Sequence, residues 1–192
     1  MSTDNLNELR IDLARRSKWN VGYFAAGFLY WSFAAAVGSL LPVPAAKLYW
    51  LIGTFFIFPL AVLLSRLLRA DPFTSGNALG NLLGITHVGL IYLLFPLIIV
   101  FFLYLPEALP LALAICFGAS FVVFFWAFGS ALFLWHIIIR VVGATIIWFA
   151  MPEYRYSLLP AFVAALYLAT ALVIPAQRRA WLGSHGAGGA LP

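Results

Sequence analysis

The sequence predicts an all-α integral membrane protein: a compact bundle of six transmembrane helices, both termini cytoplasmic, with a short amphipathic helix ahead of the first span. Three observations carry this. The chain of 192 residues is 65% hydrophobic and only 9% charged, against about 25% charged in average soluble domains. Apolar stretches of about 20 residues, the length that crosses a bilayer, recur six times between charges, prolines and glycines. Lys and Arg divide very unequally between the two sides that these stretches define.

The spans are expected at Val21–Leu41, Leu48–Leu68, Leu79–Tyr104, Leu111–Phe128, Ala131–Met151 and Leu158–Ala176. Little more than Gly129-Ser130 joins the fourth to the fifth, which requires a tight antiparallel hairpin. An even number of spans puts both termini on one side. That side collects Arg10, Arg15, Arg16, Lys18, Arg66, Arg69, Arg178 and Arg179, and the other only Lys47 and Arg155, with Glu107 and Glu153. By the positive-inside rule the first side is cytoplasmic.

The chain then divides into an interfacial segment (1–19), a six-helix domain (20–176) and a flexible tail (177–192) whose Gly-rich end lacks apolar periodicity. In the first segment Asn5 and Glu8 have capping-box-like spacing. Leu6, Leu9 and Leu13 share one helical face, with Arg10, Arg15 and Arg16 mostly off it. This pattern fits a helix lying on the inner leaflet with Trp19 at headgroup level; a solvated basic tail is the alternative. The charged run before a long apolar stretch reads as an uncleaved first span rather than a signal peptide.

Composition also narrows function. The net charge of +5 lies beside apolar segments rather than on one soluble face, so it is no nucleic-acid signature. The lone Cys116 excludes internal disulfides. No nucleophile–base pair or metal cluster marks hydrolytic or transfer chemistry, which leans away from an enzyme. "FIFPLAVLL" and "YLLFPLIIV" share Phe-Pro-Leu, too little to establish an internal repeat.

Inside the spans the ionisable residues are His87, His136 and Arg140. An arginine at a helix centre costs roughly 2.5–3.5 kcal/mol on insertion scales and usually faces the bundle interior. At a rise of ~1.5 Å per residue, His136 lies ~9 Å, His87 ~10 Å and Arg140 ~15 Å from the cytoplasmic boundary. Gly129, His136, Arg140 and Gly143 form one stripe of span five; Asn77, Gly80, Gly84 and His87 form another on span three. Gly80 and Gly84 make a small-xxx-small pair that permits close helix approach, or a contact between protomers. The two stripes are expected to face one interior region opening to the cytoplasm.

No Asp or Glu lies within a span to neutralise Arg140. Its available partners are carbonyls freed by Pro59 or Pro96, hydroxyls such as Tyr92 or Thr54, water, or an exogenous anion. Two readings stand: a structural arginine hydrated in a vestibule and bonded to carbonyls, or an anion-binding site. The candidate ligand contacts are Arg140, His136, His87, Tyr92 and Asn81. Paired histidines could also hold a b-type haem, a weak signal with only two ligands, or relay protons. No third strong ligand marks a metal site. Pro59 and Pro96 are hinge candidates, since proline removes a helix donor.

The segments "IGTFFIFPLAVLLSRLL" and "NALGNLLGITHVGLIYLLFPLIIVFF" resemble a family of small bacterial multi-span inner-membrane proteins of unknown function. The likeness lies in a Gly-Thr…Phe-Pro-Leu helix followed by an Asn-x-Leu-Gly turn, here Asn77 to Gly80. It implies a bacterial inner-membrane source and a multi-span fold, and brings no activity, cofactor or site residue. The functional expectation is transport or sensing of a small anionic or amphipathic solute through a cytoplasm-facing cavity, by a homo-oligomer. The rival class is an accessory subunit that binds lipid or a partner protein.

Overall fold

The structure, a computed structural model, describes residues 3–186. Eight helices follow in order: α1 (Thr3–Ser17), α2 (Val21–Leu40), α3 (Val43–Leu67), α4 (Ala78–Tyr104), α5 (Leu109–Ala119), α6 (Val122–Phe128), α7 (Ala131–Ala150) and α8 (Leu158–Gly186). There is no strand among the described residues, and six helical segments are long and apolar enough to cross a membrane. The fold is that of a multi-pass helical membrane bundle.

Helix α2 is the axis of the bundle, packed along α3 on one side and α8 on the other. Its small residues allow this. A Cβ on Gly22 would lie 2.6 Å from the backbone nitrogen of Ser65 in α3, and one on Gly27 would lie 2.2 Å from the Tyr167 ring in α8. Without a buried hydrophobic driving force between spans in lipid, such close approach supplies the dispersion contacts that hold them. Gly143 serves α7 in the same way, against the Phe162 ring.

The fourth span is not one helix. It breaks at Ser120-Phe121, where the Phe121 N–H bonds to the Gly118 carbonyl, three residues back. The expected hairpin follows: Gly129 ends α6 at φ 61°, and the Ser130 side chain caps α7. A positive φ there suits glycine, which has no Cβ to clash.

The N-terminal helix departs from expectation. It starts at Thr3, so Asn5 lies inside the helix rather than at its cap. Leu13 and Ala14 are buried, and Leu6 and Leu9 pack on the same core. The apolar face of α1 therefore covers the end of the bundle, against α4, α6 and α8, instead of lying on lipid. Trp19 is fully buried among Phe128, Phe133 and Trp181, not placed at headgroup level.

That last contact bears on the other terminus. Helix α8 continues beyond Ala176 to Gly186, where a flexible tail was expected from 177 onward. Docking explains the extension: Trp181 meets Trp19, and Arg178 donates to the Ala14 carbonyl. The rest of the expected tail, 187–192, lies outside the described residues. Both termini of the described chain thus gather at the α1 end.

Candidate functional site

Arg140 is fully buried on α7, and its stripe mates Phe133, His136 and Ala144 are buried with it. Its Nη1 donates to the Tyr167 hydroxyl (2.7 Å) and its Nη2 to the Leu113 carbonyl (3.4 Å). The guanidinium also lies over the Trp31 and Tyr167 rings, 5.2 and 5.1 Å from their centroids. Aromatic faces attract a desolvated cation through the ring quadrupole, by ~2 kcal/mol or more in dry settings. None of these partners is Tyr92, Thr54 or a carbonyl released by Pro59 or Pro96.

One turn earlier, His136 Nδ1 meets Thr170 Oγ1 at 2.8 Å, and that hydroxyl donates its proton to the Leu166 carbonyl. Thr170 must then accept from His136, which fixes the proton on Nδ1. Neither His136 nor Arg140 lines either of the two cavities described below, and Trp19 packs on Phe133, one turn before His136. Both residues, expected in a vestibule, are instead buried.

His87 belongs elsewhere. Its Nδ1–H donates to the Ser120 carbonyl (3.2 Å), a group exposed by the break between α5 and α6. The Phe121 ring separates it from His136, packing 5.6 Å from one imidazole and 5.3 Å from the other. The two histidines meet through that ring and not directly.

What His87 does border is a crevice. The backbones of α3 and α4 do not pack on each other; they meet through Phe55–Phe95 and through Lys47 at Phe102. Between them lies a cavity of about 400 Å³. Its walls are Thr54, Phe55, Phe58 and Pro59 on one side and His87, Ile91, Tyr92 and Phe95 on the other. Tyr23, Phe117, Ser120, Phe121 and Tyr167 form the floor. Phe55 and Tyr92 on the rim are 62% and 73% exposed, so the crevice opens sideways, where a bilayer would lie.

A second cavity of about 520 Å³ continues toward the α1 end, bounded by Asn20, Asn81, Gly84 and the 72–76 loop. Tyr23, Phe58, His87 and Val88 border both, which makes one trough. Gly84 meets no atom within 4 Å of its would-be Cβ, so it widens the trough instead of packing a helix. Gly80 does allow a close approach, but by Thr74 of the preceding loop and not by another span. Asn77 caps α4 through Gly80 N and fixes α1 through the Leu9 carbonyl and Asp12.

The structure therefore separates the sequence-derived candidates. His87, Tyr92 and Asn81 border the trough, whereas Arg140 and His136 are enclosed behind its floor. Tyr167 links the two regions, bordering the trough while accepting from Arg140. Tyr167 and Thr170 were not among the candidates. Their signal was present: with Ile174 they follow i, i+3, i+7 on span six, a buried stripe.

A family match spans residues 6–177, from α1 to the α8 segment past Pro175. The chain belongs to DUF7010, a family of unknown function. The whole trough of this DUF7010 chain falls within the matched region, and only the ends of the first and last spans extend past it. No curated protein and no solved structure matches it.

Proposed function

We propose that this DUF7010 protein binds a membrane amphiphile, its acyl chain in the α3–α4 crevice and its polar end at the mouth beside α1. The observation that supports this most is the continuous trough, polar at the mouth and apolar at mid-bundle, open to the side between spans that do not pack together. From Gly80 to Phe95 the trough follows α4 for fifteen residues, ~22 Å of helix. That exceeds half of a ~30 Å hydrocarbon core, the depth one leaflet's chain reaches. Cavities of roughly 300–1,000 Å³ are of ligand-binding size.

The basic α1 end faces the cytoplasm in this reading, as the Lys and Arg distribution requires. The amphiphile then comes from the inner leaflet. Lipid binding serves either a carrier or sensor of amphiphiles or an accessory subunit. The small-anion alternative through Arg140 has less support, because its guanidinium is enclosed and both of its terminal nitrogens are already engaged.

Native mass spectrometry of the purified chain tests the reading. Wild type should retain about one phospholipid through delipidation, and Val88→Trp, which fills the trough where its two parts join, should retain none. Equal retention by Val88→Trp and by Leu82→Trp, an exposed position outside the trough, contradicts it.

A further inference from the structure

Five non-glycine residues have left-handed backbone among the described residues: Lys18 (φ 50°), Trp19 (56°), Asn20 (53°), Arg69 (55°) and Thr74 (43°). All five lie on the two segments, 18–20 and 69–74, that reach the mouth of the trough. Asn20 and Thr74 border it, Lys18 and Trp19 precede Asn20, and Arg69 lies three residues before Pro72 on its rim. An L-residue with a side chain resists this conformation, and such strain persists where the surroundings enforce it and clusters at functional sites.

The strained rim also places charge. Lys18 Nζ donates to the Leu68 carbonyl (2.8 Å), which brings its ammonium beside the residue preceding Arg69. The two described acids at this rim are committed elsewhere. Asp71 bonds Arg16 at 2.7 Å, and Asp12 lies 3.5 Å from Arg16 and accepts from Asn77. Neither Lys18 nor Arg69 has an acidic partner among the described residues. Two cations without an acidic partner among the described residues thus lie on neighbouring segments that lead into the trough, which is apolar farther in. An anion answers both charges, and an anion attached to an acyl chain fits both parts.

We propose that the mouth is a binding site for the phosphate-bearing headgroup of an anionic phospholipid, with Lys18 and Arg69 setting the headgroup preference. This rests on the amphiphile reading of the trough. The two ideas fail differently in one experiment. The full chain is equilibrated with equimolar dioleoyl phosphatidylcholine and dioleoyl phosphatidylglycerol, and retained lipids are counted by native mass spectrometry.

Wild type should retain phosphatidylglycerol in excess. Lys18→Asn and Arg69→Asn should each reduce that preference roughly fivefold, the scale of one basic residue at an anionic surface. Asparagine tolerates left-handed backbone, so these variants remove charge without adding strain. Arg179→Gln, an exposed charge at the same end on α8, should leave the preference unchanged. An equal loss in Arg179→Gln would mean diffuse attraction and would overturn the headgroup site. So would equal retention of both lipids by wild type; if Val88→Trp abolishes that retention, the amphiphile reading survives alone. Unaltered retention in Val88→Trp sinks both.

Discussion

Arg140 is enclosed at mid-bundle without a carboxylate, and its neighbours explain how. Enclosure of a guanidinium must be offset by hydrogen-bond acceptors and polarizable faces. Here these are one hydroxyl, one carbonyl and two aromatic rings. Tyr167→Phe removes the shorter hydrogen bond and should destabilise the fold by about 1.5–3 kcal/mol, the range for bonds to charged groups. Arg140→Met in the same background removes the stranded charge, so the double variant should be more stable than Tyr167→Phe alone. Unfolding in detergent, read as a double-mutant cycle, measures this; additive losses would show that the pair does not interact.

Asp71 tells a second residue-scale story. Burial works against its charge, but donors from Arg16, Thr74 N and Phe73 N outweigh burial and hold the carboxyl below its ordinary value. A carboxyl depressed in the folded state stabilises above its unfolded pKa of about 3.9 and loses that contribution as pH falls through the folded value. The α1–loop junction should therefore loosen below about pH 4, seen as faster amide exchange in α1. Asp71→Asn should show that faster exchange already at neutral pH, with less further change on acidification. Identical acid profiles in the two proteins would count against the Asp71 clamp.

At the scale of elements, the fold rests on α2 touching α8 closely. Gly27→Val would drive a branched side chain into the Tyr167 ring, and overpacking of this kind costs about 1–3 kcal/mol. It should also displace Tyr167 from Arg140, so the loss should exceed that of Gly53→Val, whose Cβ meets Tyr30 at a looser 3.0 Å. Thermal unfolding of the two variants decides it; equal losses would show that α2–α8 contact is not special.

The helices were legible because periodicity and length are local properties. The hairpin at Gly129-Ser130 and the buried stripe of His136 and Arg140 follow from spacing alone. Other features were not legible. The break in "CFGASFVVFF" has no proline to announce it. Lys18-Trp19-Asn20 forms a left-handed turn without glycine, and only docking of Trp19 into the core explains it. Similar expected depth suggested that His87 and His136 faced one region. Depth does not determine azimuth, and Phe121 stands between the histidines. The amphipathic pattern of α1 was correct in periodicity, but an apolar face looks the same whether it meets lipid or protein.

At the scale of the whole molecule, two regions share a floor. Behind it, Arg140, His136, Tyr167 and Thr170 lock α7 to α8. In front, the α3–α4 trough connects a charged, strained rim to the membrane-facing side. The claim that an acyl chain occupies this trough is tested most directly by a phosphatidylglycerol carrying a mid-chain diazirine. After photolysis in bilayers, peptide mapping should find label on Phe121 or Tyr23. Phe121 is only 5% exposed, so bulk lipid does not reach it. Label confined to outward positions such as Leu82 and Leu93, with none on the floor, would contradict the account.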